Sequence, residues 1–235
     1  MKIIDYINVS NLSVQFENGY TVKTTYQHFK EGDVTSVYDK TVYGVGYLGE
    51  GEYKGSIDKK YTPQYNRWKN MLIRCYTKKY KDINMTYKDC TVCDEWSNFQ
   101  NFAKWYDENY YEVDQEVMGL DKDILIKGNK VYSPDTCIFV PNSINILFTK
   151  TDKKRGEFPI GVHYYKKLNK YHAQCHQVFK KTQKHLGYYE NPIDAFNAYK
   201  SYKEKTIKII ADQYKSKIPE KLYKALYSYE VDIND

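Results

Sequence analysis

The chain has 235 residues, enough for one large domain or for two to three small ones. A hydrophobic content of 41% supports packed cores, the mean hydropathy of −0.78 marks a very polar surface, and no apolar run is long enough to be a membrane helix. The formal charge of +6 is unevenly spread: residues 151–235 hold 17 Lys/Arg against 10 Asp/Glu, and residues 1–150 hold 19 against 20. That asymmetry places a polyanion-binding surface in the C-terminal third. The N-terminus lacks the apolar core of a signal peptide, and five cysteines, an odd number in a long chain, do not read as a secreted disulfide framework. A reducing cytosol is expected.

In chain order, Leu12, Val14 and Phe16 alternate before Glu17-Asn18-Gly19, and Tyr20 and Val22 follow. Asn-Gly between alternating runs predicts a hairpin. Residues 1–42 are therefore expected to form a small β-module, with no chemistry of its own. Residues 43–60 hold the glycine-rich run Tyr43 to Gly55, expected to be a linker because it has no period. It lacks the trailing Lys-Ser/Thr that a phosphate-binding loop needs.

Residues 61–150 are mixed. Trp68, Met71, Leu72 and Cys75 recur at i, i+3, i+4 and i+7 and make one helix face. Trp96, Phe99, Phe102, Ala103 and Tyr106 make a second, with Asp94 as its expected cap. The aromatics of this region fall at helical spacing and are expected in a core rather than on a base-stacking platform. From Leu120 to Phe148 the pattern is strand, turn at Gly128-Asn129, strand, turn at Ser133-Pro134, and a short helix opening near Pro141. Cys75, Cys90, Cys93 and Cys137 offer four thiols to Zn2+, but only Cys90 and Cys93 stand at C-x2-C spacing. The competing reading is plain burial, which cysteine favours.

Residues 156–235 are expected to form strands near 160–166, 171–179 and 184–189, then a helix opening at Pro192. Its inward stripe is Ala195, Ala198, Tyr199, Tyr202, Thr206, Ile209 and Ile210, and a last helix is expected over 218–228. From Lys153 to Lys184 nine Lys/Arg face a single acid, Glu157. Only Arg67, Arg74 and Arg155 are arginines. The lysine bias favours phosphate grip over guanine reading.

Gly161-Val162, Lys170-Tyr171-His172-Ala173-Gln174, Leu186-Gly187-Tyr188 and Ala195–Glu204 carry a resemblance. Over about 50 residues this unit resembles the ethylene-response-factor type of DNA-binding domain, in which one face of a three-stranded sheet lies on the major groove. The resemblance implies double-stranded DNA as partner. Taking the outward positions, it implies contacts from His163, Tyr165, Lys167, Lys170, His172, Gln174, His176, Lys180, Lys181 and Lys184. The family's arginines are mostly absent.

The middle region resembles phage HNH-nuclease-like proteins, and the whole resembles bacteriophage homing-endonuclease-like proteins. The carrying residues are Trp68-Lys69-Asn70-Met71, Arg74-Cys75, Val92-Cys93, Leu120-Asp121-Lys122-Asp123, Tyr132-Ser133-Pro134-Asp135-Thr136-Cys137, Asn142 and Asn145. Such enzymes use a histidine pair on the first strand as metal ligand and general base. Here that position reads Asp121-Lys122-Asp123, and the chain's histidines are 28, 163, 172, 176 and 185. The resemblance then implies an α+β protein with a degenerate HNH-like ββα core and a C-terminal three-stranded antiparallel sheet packed on a helix. Asp121, Lys122, Asp123 and Asn145 become the candidate catalytic residues, with Asp121, Asp123 and Asn145 offering oxygen to Mg2+. Two function classes stay open: a DNA-binding protein with a weak metal-dependent endonuclease or nickase centre, and a non-catalytic regulator that engages a host protein. Either belongs in the cytoplasm of an infected bacterial host.

Overall fold

A computed structural model describes residues 1–149, 157–177, 180 and 182–234, with Met85 described by its backbone alone. Strands β1 (Lys2–Asn8), β2 (Asn11–Gln15) and β3 (Thr21–Thr24) precede helix α1 (Tyr26–Glu31). Next come β4 (Ser56–Ile57), β5 (Lys60–Tyr61), α2 (Pro63–Tyr76), α3 (Lys78–Ile83), β6 (Thr91–Val92) and α4 (Phe99–Asn109). Then follow β7 (Met118–Asp121), β8 (Val131–Tyr132), β9 (Ile138–Pro141) and α5 (Asn142–Asn145). The chain closes with β10 (Val162–Tyr165), β11 (Lys170–Gln177), β12 (Thr182–Tyr189), α6 (Pro192–Tyr214) and α7 (Glu220–Tyr227). The fold is α+β, and its C-terminal three-stranded antiparallel sheet packs on a helix, as expected. Among the described residues no helix is long and apolar enough to cross a membrane.

The chain divides into two compact units: residues 1–108 with 131–133, and residues 109–130 with 134–235. These differ from the expected boundaries near 60 and 150. The reason lies in the second unit's core. Val113, Ile124, Ile138, Val140, Ile144 and Leu147 pack with Ile207, Ile210, Ala211, Ile218, Leu222 and Leu226. The second half of α6 and all of α7 are thus part of the same core as β9 and α5.

In the first unit the predicted hairpin forms between β2 and β3, with Leu12 and Val14 fully buried. An additional edge strand, β1, pairs with β2. α2 buries the expected face of Trp68, Met71, Leu72 and Cys75. Thr62 accepts from the Tyr65 N–H and caps it. The second aromatic face is split between a 3-10 turn, Asp94–Ser97, and α4. Asp94 opens that turn, so the α4 cap is instead Asn98, whose Oδ1 accepts from the Gln100 N–H at 3.0 Å.

The glycine-rich stretch is not a linker. Tyr47 donates its N–H to the Ser97 carbonyl, and the Phe99 N–H returns a bond to Tyr47, both at 2.9 Å. Gln100 clamps the same stretch, accepting from the Tyr53 N–H and donating to the carbonyls of Leu48 and Tyr53. A Cβ on Gly46 would stand 2.7 Å from the Trp68 ring and 2.5 Å from Leu72 Cδ1. Glycine is needed there for close approach of backbone to core, not for flexibility.

Candidate nucleic-acid interface and acidic centre

Antiparallel pairing fixes which residues of the C-terminal sheet share a face. Val162 stands opposite Ala173, and His163 opposite His172. Ala173 and Cys175 are buried, and Cys175 and Val162 pack in a cluster with Phe196 and Tyr199 of α6. The helix therefore covers the Val162–Ala173–Cys175 side. α6 starts at Pro192, with Asn191 Oδ1 accepting from the N–H groups of Ile193 and Asp194. Its buried residues are Ala195, Phe196, Tyr199, Ile207, Ile210 and Ala211. Ile209, expected in the stripe, is 49% exposed, because the helix turns that position away from both clusters.

The opposite face carries His163 and Tyr165 from β10, and Lys170, His172, Gln174 and His176 from β11. Lys167 is exposed in the connecting turn, and Lys180 is exposed beyond β11. Lys181 lies outside the described residues, as do Lys153, Lys154 and Arg155.

Lys184 is the exception. The β11–β12 register shifts between Ala173 and Gln174, where Gly187 stands opposite Ala173 and His185 opposite Gln174. Gly187 has φ of 131°, a conformation that side chains resist, and the extra residue is Leu186, which packs toward α6. The bulge reverses parity along β12. Lys184 consequently lies opposite Cys175, on the helix side, while His185 joins the outer face. Tyr188, opposite His172, joins it too. Neither His185 nor Tyr188 was expected there; a glycine inside a strand was the available signal of the bulge.

The outer face is built of rings. Tyr188 stacks on His172 with centroids 4.9 Å apart and packs on Tyr165 at 5.4 Å and His185 at 4.9 Å. His172 Nδ1 lies 2.8 Å from His163 Nε2, and His172 Nε2 lies 2.5 Å from His185 Nδ1. Burial and, after it, the charges of His163 and His185 hold the His172 pKa below its ordinary value. Lys170 is paired to Glu190 at 2.8 Å. The rings pack side by side across the face, with both His172 nitrogens engaged by neighbouring imidazoles.

The acidic centre sits in the same unit. β7 and β9 pair antiparallel, with Gly119 opposite Val140 and Asp121 opposite Ile138, and α5 follows β9 directly. This is a ββα arrangement. Asn145 lies over the hairpin: a Cβ on Gly119 would be 3.1 Å from Asn145 Nδ2. Asp121 Oδ1 accepts from the N–H groups of Asp123 and Ile124 at 2.9 and 2.7 Å. Burial, then the charge of Asp123, pushes the Asp121 carboxyl up to about 6. Lys122 is buried, with Nζ 3.2 Å from Asp123 Oδ2, and the Asn129 amide donates to the Lys122 carbonyl at 2.7 Å.

Asp121, Lys122 and Asp123 are thus held together, and Asn145 stands over the strand that carries Asp121. The donor set suits Mg2+ poorly. One carboxylate is engaged by an ammonium group, and the other already binds two backbone N–H groups.

Among the described residues the group of three or more metal-ligating side chains that comes together is His28, Glu31 and Asp33, all exposed at the end of α1. Cys75, Cys90 and Cys137 are buried, and the Cys90 thiol donates to the Thr86 carbonyl. Burial pushes the Cys93 thiol up, whereas zinc requires a thiolate. His28 is tied to Asp33 at 2.8 Å, and that carboxylate raises its pKa.

No known protein family matches the sequence, and no curated protein or solved structure matches it.

Proposed function

We propose that the protein binds double-stranded DNA through the outer face of β10–β12, and that the Asp121 region is a degenerate nuclease centre of the HNH type. The observation that carries the DNA reading is the composition of that face. His163, Tyr165, Lys170, His172, Gln174, His176, His185 and Tyr188 share it, Lys167 flanks it, and α6 stiffens it from behind. Histidine and lysine supply charge for phosphate, and glutamine suits adenine edges. Such an assembly grips backbone more firmly than it reads sequence.

The nuclease part of the reading rests on the ββα arrangement with Asp121 at the end of its first strand. The Lys122–Asp123 pair argues for weak or absent metal-dependent cutting. The test is titration of the full chain against random duplex DNA at rising salt. Binding whose log K falls linearly with log salt, with a slope of magnitude several, is expected. No binding at low salt would remove the proposal.

A second reading is a regulator that engages a host protein. Edge strand β1 favours it, because Ile4, Tyr6 and Ile7 are 48–63% exposed on the outermost strand of its sheet. A host protein co-purifying at stoichiometric level after DNase treatment would support that function instead.

A further inference from the structure

Three of the four histidines on the outer sheet face, His163, His172 and His185, carry a consequence for regulation that rests on the DNA reading above. His172 is the middle of a chain, with its two ring nitrogens facing different neighbours: Nδ1 meets His163 Nε2 at 2.8 Å and Nε2 meets His185 Nδ1 at 2.5 Å. The three rings do not converge on one point, so no single ion is reached by all of them; among the described residues no such histidine group comes together. What joins them is hydrogen.

We propose that His163, His172 and His185 form one proton-binding site that takes up a single proton, and that this proton is linked to DNA binding by the same face.

The count follows from imidazole chemistry. A neutral ring has one N–H and one lone pair. Three neutral rings can satisfy both contacts if all N–H groups point the same way along the chain. One added proton goes to the ring at the donating end, which already donates inward, and both contacts survive. A second proton does not fit. It would require His163 and His185 both to donate to His172, whose nitrogens would then both need lone pairs, or it would set two N–H groups against each other. Either way one contact breaks. The centre can also hold that one proton, as an imidazolium that donates to both neighbours; its lowered pKa comes from burial and, after it, the charges of His163 and His185.

Among the described residues, other titratable and charged groups also lie on this face. β10 contributes Tyr165, and β11 contributes Lys170 and His176. β12 contributes Tyr188. Lys166 and Lys167 lie in the β10–β11 turn. Lys170 is paired with Glu190 in an exposed ion pair. His176 is a separate imidazole on the same face, four residues beyond His172 on β11.

A bound polyanion favours the charged form of the chain, and by reciprocity the charged chain binds the polyanion more tightly. One linked proton allows at most about tenfold in affinity per pH unit, the limit of a slope of −1 in log K against pH. Three independent histidines would allow a slope approaching −3.

The test uses the full chain carrying His176→Asn, so that the chain of three is read alone. Affinity for a random duplex is measured by anisotropy from pH 5.5 to 8 at constant ionic strength. The expected slope is no steeper than −1. Adding His172→Asn removes the bridge and leaves His163 and His185 free to protonate separately, so the slope should steepen toward −2. Losing a histidine would thus increase the pH dependence. A slope that flattens or stays unchanged on His172→Asn overturns the proposal. Imidazole nitrogen NMR of the free His176→Asn chain separates the proton site from its linkage to DNA. Concerted shifts of three rings with one midpoint support the single-proton site, and three independent midpoints overturn it. DNA binding that is absent at every pH, with concerted NMR shifts, would defeat the DNA reading and the linkage while leaving the proton site.

Discussion

Lys184 stands directly opposite Cys175 in the β11–β12 ladder, and Cys175 is packed against α6. The lysine is exposed, yet it belongs to the covered side of the sheet. Lys167, in the turn beyond β10, is not so placed. If DNA lies on the outer face, Lys167→Ala should lower the magnitude of the salt slope by about 0.9, the release expected from one lost phosphate contact. Lys184→Ala should leave the slope nearly unchanged. Equal losses from the two substitutions would show that duplex contacts are not confined to one face.

The same bulge shows where sequence reading reaches its limit. The order of elements after Ile160, the opening of α6 at Pro192 and the buried face of α2 follow from period, capping and proline chemistry, all of which are local. The face of each β12 residue does not. A one-residue bulge at Gly187 reverses parity, and whether a strand glycine bulges depends on its partner strand. The joining of Val140 and Ile144 to Ile210 and Leu222 in one core is non-local too, and no spacing announces it. The Asp121-Lys122-Asp123 triplet was visible as residues. The burial of Lys122 and its pairing with Asp123 required the fold of the β7–β9 hairpin.

That pairing bears on cutting. With an ammonium group on Asp123, plasmid nicking in Mg2+ or Mn2+ should be weak or absent. Lys122→Ala, which frees Asp123, should not lower whatever activity exists. Robust nicking by the wild-type chain that disappears in Asp121→Ala or Asp123→Ala would show that the centre is competent after all.

Asp121 also has a signature in stability. Its carboxyl is pushed up from 3.8 to about 6, so the folded state holds this proton more tightly than the unfolded state does. The charged form is the unfavourable one in the fold. Its penalty is absent below about pH 4, grows between pH 4 and 6, and is complete above. Asp121→Asn keeps an oxygen to accept the Asp123 and Ile124 N–H groups and removes the charge. It should therefore stabilise the protein by up to about 3 kcal/mol at pH 8, and the gain should vanish near pH 4. Denaturant unfolding of both proteins at the two pH values measures this. Millimolar Mg2+ should not raise the wild-type Tm; a rise would mean that Asp121 holds the ion.

Gly46→Ala tests the packed character of the glycine-rich stretch. The new methyl group would meet the fully buried Trp68 ring, which cannot rotate away without disturbing Phe99, its neighbour at 5.4 Å. Overpacking of this kind costs about 1–3 kcal/mol. A substitution in a true linker would be neutral, and chemical denaturation of the variant distinguishes the two.

Lys203 on α6 provides the last prediction, with a pH dependence opposite to that of Asp121. Burial holds its amine below the ordinary lysine pKa, and the nearby Cys175 opposes that only in part. Here too the charged form is the unfavourable one, but for a base it is the form present at low pH. The penalty is complete at pH values below the lowered pKa, shrinks as pH rises through it, and is gone above the unfolded value near 10.5. Methionine keeps most of the apolar stem that Lys203 lays beside Tyr202 and Ile210 around a cavity of about 120 Å³. Lys203→Met should accordingly raise the Tm at pH 7, with the gain diminishing toward pH 10. A destabilising effect at pH 7 would mean that the ammonium group is held by a favourable interaction stronger than its desolvation.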